Sequence, residues 1–412
     1  MITRRTLLLG TAAVASSRVL TSCSQQATER LTVTLLEGAV PAEVLKQFRK
    51  QVQLPVSFRA DAQMQWIFQR LQRWQRQPPE KKKSWQRFFP WYQPEDLTLS
   101  GQLMSLGDFW LQNAIAQDLL APMELPPETL EALPFQWQQF VSRNAEGQTA
   151  PAGTPGREIW AVPYKVQSLM IVYRQSQFAD LQNNSQVTAG QPVFTTWQDL
   201  LAPRLRRRIA LPSHPNLVIG LLQKMQSGSF NTGFNSLANR SAAKSQLLSQ
   251  LAAQLREPFL ALNQQVKTYD AADGLRALVN EDVDVALAWS GDVATALQRY
   301  RDLKAVVPEE GSLLSADLWV RPKGTPMSEA AKRWIEFCWE AGPATQISIS
   351  GRGISPIFLG EGVARPDVLN NHLLPVAAMD NSEPLLPLPE NLQAAYLDLW
   401  EQLRTESVAV AE

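Results

Sequence analysis

The stretch IWAVPYKVQSLMIVY, residues 159–173, decides how the chain is read. It holds two short apolar runs, 159–162 and 168–173, rich in β-formers and parted by Pro163, Tyr164 and the polar triplet Lys165, Val166 and Gln167. The pattern predicts two strands with a break between them. One α/β pattern ends beside this stretch and a second begins, so the chain is expected to leave one lobe and enter another here, with the break as a hinge. On local grounds alone the same residues also suit a buried hairpin.

On the N-terminal side, residues 31–36 (LTVTLL) predict a strand, 42–50 a helix and 54–58 a second strand. Asp61 is expected to cap a helix whose Met64, Ile67, Leu71 and Trp74 form one apolar stripe. Residues 75–94 are basic and proline-rich, which suits a surface excursion. A third strand, 97–104, turns through Gly107-Asp108 into a helix reaching Leu120. Alternating strands and helices argue for a parallel sheet, where ligands collect at strand ends. Asp108 stands at such an end, placed to receive a cation, beside helix N–H groups suited to an anion, or to cap the helix. Glu37, after the first strand, is a further candidate.

On the C-terminal side, Thr195 or Thr196 caps a short helix, and the strand 208–211 runs into Pro212-Ser213-His214-Pro215-Asn216. That loop offers hydroxyl, imidazole and amide groups to a cleft, and a helix follows over 217–225. A helix over 241–254, a strand over 266–269 and a helix capped by Asp273 come next. Then 283–289 (VDVALAW) is a strand leading straight into Ser290-Gly291-Asp292 and another helix, with 304–307 the next strand. A strand over 315–320 is expected to return the chain toward the first lobe. Ser328 caps a helix over 329–341, 351–356 (GRGISP) is a glycine-rich turn, and 391–404 is an amphipathic helix. The expected division is 1–29 export signal and tether, 30–165 first lobe, 166–315 second lobe, and 316–412 completing the first lobe.

A chain of 412 residues is long enough for two cores. Lys plus Arg equals Asp plus Glu at 39 each, so no global field recruits nucleic acid or an anionic membrane. The basic runs Lys81-Lys82-Lys83 and Arg204 to Arg208 suit solvated loops. At the start, Arg4-Arg5 precede an apolar run too short to span a bilayer, the pattern of an export signal resembling the twin-arginine type. Leu20-Thr21-Ser22-Cys23 resembles a lipobox, which makes Cys23 the expected lipid attachment point, a plain cleaved signal being the alternative. Either way a periplasmic location is expected. The other cysteine, Cys338, is expected to be a buried thiol. With two histidines and two cysteines a His/Cys metal site has almost nothing to draw on. No nucleophile elbow, phosphate loop, dinucleotide fingerprint or zincin motif is present. These features point to an exported binder with no metal and no cofactor, not an enzyme, and to a monomer.

Trp160-Ala-Val-Pro-Tyr164, Thr196-Trp-Gln-Asp-Leu200, Val285-Ala-Leu-Ala-Trp289-Ser-Gly-Asp292 and Ala316-Asp317-Leu318 with Pro322, in that order and spacing, resemble the extracellular solute-binding proteins of ABC importers, in the spermidine/putrescine-binding branch. The resemblance implies an α/β fold of two lobes, type II-like, hinged by two crossing segments and closing on a small molecule for delivery to an ABC permease. It implies Trp289 as an aromatic wall, Asp317 as a ligand carboxylate, and Asp108, Tyr164, Asp292, Ser213 and Glu37 as further contacts. A cation over an indole face gains roughly 0.5–2 kcal/mol, which suits an amine ligand. The chain departs from that branch where Ser213, His214 and Asn216 replace acidic residues, Ser315 replaces an aromatic, and Leu36-Glu37-Gly38-Ala39 replaces an aromatic pair. A different amine, an oxyanion or a metal chelate is therefore an alternative ligand, and an exported enzyme or assembly factor on the same scaffold an alternative function.

Overall fold

The structure is a computed structural model and describes residues 30–76, 101–149, 155–180, 192–232, 244–270, 274–351, 353–359, 363–369 and 381–409. The leader with Cys23, the run Lys81-Lys82-Lys83 and the expected cap Asp273 lie outside these residues. In the first lobe β1 (Leu31–Leu36) runs parallel to both β2 (Val56–Asp61) and β3 (Gly101–Gly107). Short pieces follow: β4 (Leu120–Ala121), β5 (Ser142–Arg143) and β6 (Glu158–Ile159), the last two paired with each other.

Then comes β7 (Ala161–Arg174), a single strand of 14 residues where two were expected. The reason lies in its partner. β12 (Leu313–Pro322) runs antiparallel along it from Leu314 opposite Ser168 to Val320 opposite Ala161. Pro163 has no N–H to give to a ladder. The ladder absorbs this by shifting register between Asp317, opposite Lys165, and Leu318, opposite Pro163. Tyr164 is the extra residue of the bulge, so the break becomes a local irregularity in a continuous strand.

Beyond Ser168 the strand changes partners. β10 (Val285–Trp289) runs antiparallel to β7 from Leu169 to Tyr173 and parallel to β8 (Ile209–Leu211), which is parallel to β9 (Val266–Tyr269). β11 (Leu303–Val306) pairs with the end of β7, and β13 (Glu383–Pro384) with the start of β12. The main order is β2-β1-β3-β12-β7-β10-β8-β9. The second sheet is therefore mixed: its parallel part is β10, β8 and β9.

Burial shows two lobes. Ala161, Val162, Tyr164 and Val166 of β7 sit in one hydrophobic core with β1 and β3. Leu169, Ile171 and Tyr173 sit in a second, and Met170 and Val172 in a third on the opposite face. That is the two-residue alternation of a strand buried on both sides. The helices Glu329–Trp339 and Ala341–Ser350 pack on the first core, with Cys338 fully buried. Ser328 caps the first of these, its side chain accepting from Ala331 N. Thr196 and Asp199 form a capping box on a 3-10 turn. Asp61, in contrast, caps nothing: it ends β2 and is held by Arg70 at 3.0 and 3.1 Å.

The C-terminal helix Glu390–Ala409 corrects the expected division, because it belongs to the second lobe. Leu392, Ala395, Tyr396, Leu399, Trp400 and Leu403 enter the second core beside Leu247, Leu251, Leu255 and Phe259 of the helix Lys244–Gln265. Gln223 Nε2 donates to Tyr396 Oη at 2.8 Å. Each buried side chain of this size contributes roughly 1.5–3 kcal/mol. Deleting residues 390–412 is thus expected to unfold the second lobe selectively. Amide exchange should show lost protection at Leu169–Tyr173 and Ile209–Leu211, with Leu31–Leu35 and Leu103–Leu106 still protected.

Candidate functional site

The first wall forms where β3 ends. Gly107 has extended backbone and is the N-cap of the helix Asp108–Ala116, so Asp108 is its first residue. Asp108 Oδ1 accepts from Phe109 N at 3.0 Å and from Ser315 Oγ at 2.9 Å. It is 8% exposed. Ser315 and Asp317 arrive on β12, with Asp317 opposite Gly107 on one side and Lys165 on the other. Lys165 Nζ lies 2.7 Å from Asp317 Oδ2 in a largely buried ion pair.

Burial dominates the electrostatics. It pushes the Asp108 carboxyl up to about 7, with the Asp317 charge adding to the rise against the hydrogen bonds from Ser315, Ala316 and Phe109. Arg143, on β5, is 1% exposed. Burial pushes its guanidinium down to about 9, and the charge of Asp108 opposes the fall. Its Nε has no hydrogen-bond partner, and its Cζ lies 4.7 Å from the centre of the Phe140 ring.

The second wall comes from the ends of β8 and β10. His214 caps the helix Pro215–Ser227, its Nδ1 accepting from Leu217 N at 3.3 Å. That bond needs an unprotonated Nδ1, and burial lowers the ring's pKa, so the imidazole is neutral with its proton on Nε2. Trp289 ends β10, and Ser290 Oγ, next in sequence, accepts from Ser168 N at 3.1 Å where β7 changes partners. Between the walls stands Phe109, 39% exposed, its ring centroid 5.0 Å from His214 and 6.4 Å from Trp289. The three rings bridge the lobes.

The structure distributes the expected residues unevenly. Asp108 and Asp317 meet in one cluster with Ser315. Trp289 touches Phe109 and also lines a cavity of about 610 Å³ in the second lobe, with Asp270, Arg276, Asp292, Arg299 and Tyr300. Ser213 is half-buried beside His214 and contributes a backbone bond to Asp270 O at 3.3 Å. Asn216 turns away to Gln393 of the C-terminal helix, at 2.8 Å. Glu37 is exposed on the turn after β1. Tyr164 does not reach a ligand: it is fully buried, stacked 4.1 Å from Trp319 and hydrogen-bonded to Ser105 at 2.8 Å. As the bulge residue next to Pro163 it packs inward. Sequence patterning gives Lys165 only a place in the break between two apolar runs and gives Arg143 no distinguishing signal.

Comparison with known proteins identifies the family and the fold. The family model for bacterial extracellular solute-binding proteins matches residues 94–377. The chain belongs to that family. A solved spermidine/putrescine substrate-binding protein of Streptococcus pneumoniae is similar over 92% of this chain and 99% of its own, with TM-score 0.66 at 18% identity. A Treponema pallidum lipoprotein is similar over 91% and 99%, TM-score 0.59 at 14% identity. A ferric iron-binding protein A of Mannheimia haemolytica, in an open conformation, is similar over 91% and 98%, TM-score 0.56 at 11% identity. Among curated proteins no sequence matches. At these identities the likeness establishes the periplasmic-binding-protein fold, and the Streptococcus pneumoniae and Mannheimia haemolytica proteins carry different ligands in their names.

Asp108 yields a pH test of the site. Its folded-state value, about 7, lies above its ordinary 3.8, so the folded form holds a proton that the unfolded chain has released between those two values. Stability contributed by the site therefore falls as pH rises from about 4 to 7. Asp108→Asn can keep the two bonds that Oδ1 accepts, from Phe109 N and Ser315 Oγ, without the charge. Denaturation curves should show it more stable than the wild type by up to roughly 4 kcal/mol at high pH, the gap closing by about pH 4.

Proposed function

We propose that this solute-binding protein is the extracytoplasmic receptor of an ABC importer, exported by its leader, held to the membrane by lipid on Cys23, and handing a small solute to the permease. The supporting observation is the meeting of Phe109 from one lobe with His214 and Trp289 from the other, above Asp108, Ser315 and Asp317. A solute seated there touches both lobes and favours closure by its differential contacts with the closed state. The route of export and the anchor are read from the leader sequence alone, and mass spectrometry of the mature chain addresses both.

An amine is the ligand class this mouth suits among those considered. Aromatic faces attract a cation, and Asp108, whose ionised form an ammonium beside it would favour, gives that ammonium a partner. A polyamine, implied by the resemblance and printed in the name of the Streptococcus pneumoniae neighbour, falls within that class. The test is thermal denaturation across monoamines, polyamines, amino acids, oxyanions and metal chelates. A ligand at a hundred times its Kd stabilises by about 2.7 kcal/mol, which at this chain length gives a shift of a few degrees. Phe109→Ala should abolish most of the shift produced by the best solute while leaving the unliganded melting temperature nearly unchanged. No shift with any of these solutes, or an unaltered one in Phe109→Ala, would contradict the reading.

A further inference from the structure

Below Phe109, the carboxylates Asp108 and Asp317 are already answered. Asp317 is paired with Lys165, Asp108 accepts from Phe109 and Ser315 and keeps its proton up to about 7, and His214 spends its Nδ1 on the helix it caps. Lys165 is 4% exposed, and its ammonium takes the place beside Asp317 that a bound cation would need. That leaves little free negative charge there for a solute bearing two or more ammonium groups. Burying such a solute would give the mouth a net positive charge at low dielectric, which is costly without further carboxylates.

The position of Lys165 is built, not incidental. It lies directly opposite Asp317 at the register shift between the crossing strands. From the other side the segment Gly353-Ile354 presses on it. Val166 N donates to Ile354 O and Ile354 N to Val166 O, both at 2.8 Å, which ties that segment to β7 one residue beyond the lysine. A Cβ at Gly353 would stand 2.5 Å from Lys165 Cγ and 2.8 Å from Val166 O. Only glycine lets the segment lie so close, and the lysine stem is confined between it and the strand. The glycine-rich turn thus has a role that its sequence did not disclose.

We propose that Lys165 is a resident counter-charge that sets the selectivity of the mouth: it pairs with Asp317 from within, refuses polyamines, and leaves Asp108 for a solute with a single positive charge or none. This rests on the receptor reading above and narrows its ligand class.

The test uses the full chain and variants Lys165→Ala and Lys165→Met/Asp317→Asn, titrated with putrescine, spermidine and n-butylamine by calorimetry and thermal denaturation. Lys165→Ala leaves a channel and an unpaired Asp317. It should bind putrescine and spermidine at least tenfold more tightly than the wild type does, and n-butylamine should restore part of its lost melting temperature while hardly moving the wild type. The double variant, with neither charge, should show no such gain. Should Lys165→Ala be unfolded on its own, refolding on addition of n-butylamine or putrescine supports the assignment, and failure to refold with any amine overturns it. A wild type that binds either polyamine as tightly as Lys165→Ala also overturns it. The two readings fail separately: a wild type stabilised by some other solute remains a receptor whatever Lys165→Ala does.

Discussion

Strand β7 runs unbroken through two interiors, and the rest of the molecule is arranged by that constraint. Its first half is walled by β12 and its second by β10, with the exchange at Ser168 and Leu169. A backbone buried on both faces must have its N–H and C=O groups paired along its length. The exchange of partners leaves few groups between the lobes to hold them rigidly. Ser290 Oγ fills one gap by accepting from Ser168 N, so the start of the helix after Trp289 is fastened to the pivot itself. In the receptor reading, movement of one lobe against the other would turn on the residues of β7 and β12 at this exchange.

The same crossing assembles the chemistry. Gly107, Lys165 and Asp317 are neighbours because β3, β12 and β7 are neighbours, and Asp108 follows Gly107 into its helix. Burying two carboxylates is tolerable only because each is answered: Asp317 by Lys165, and Asp108 by hydrogen bonds and by a proton held up to about 7. His214 stays neutral for a related reason, its Nδ1 being spent on the helix it caps. The mouth is thus a nearly neutral floor under three aromatic rings. Arg143 stands apart from this floor: its Nη1 donates to Gly147 O at 3.4 Å, its guanidinium lies over the Phe140 face, and its Nε is buried without a partner.

Much of the fold was legible in the sequence because local rules and tertiary structure agree. The strands Leu31–Leu36 and Val266–Tyr269 fall where β-branched content placed them, and Ser328 and Thr196 cap as such residues should. Local rules failed where a distant partner decided the outcome. Pro163 reads as a break until β12, some 150 residues later, absorbs the missing donor in a bulge. The last helix reads as amphipathic, but its stripe does not say which core will take it, and the long helix Lys244–Gln265 carries the matching stripe. Tyr164 looks like an aromatic at a cleft until the bulge turns it onto Trp319. Lys165 illustrates the same limit at the site: a charge in a strand acquires meaning only once the strand opposite it is known.

Closure on a solute is the claim on which the functional account stands, and the distance between the lobes measures it most directly. Spin labels on exposed positions of opposite lobes, Lys46 and Arg256 replaced by cysteine, report that distance by pulsed resonance, Cys338 being buried from the label. With a solute that raises the melting temperature, the distribution should narrow and shift to the shorter distance expected of Phe109 packed on His214 and Trp289. An identical distribution with and without a solute shown to bind would contradict the account.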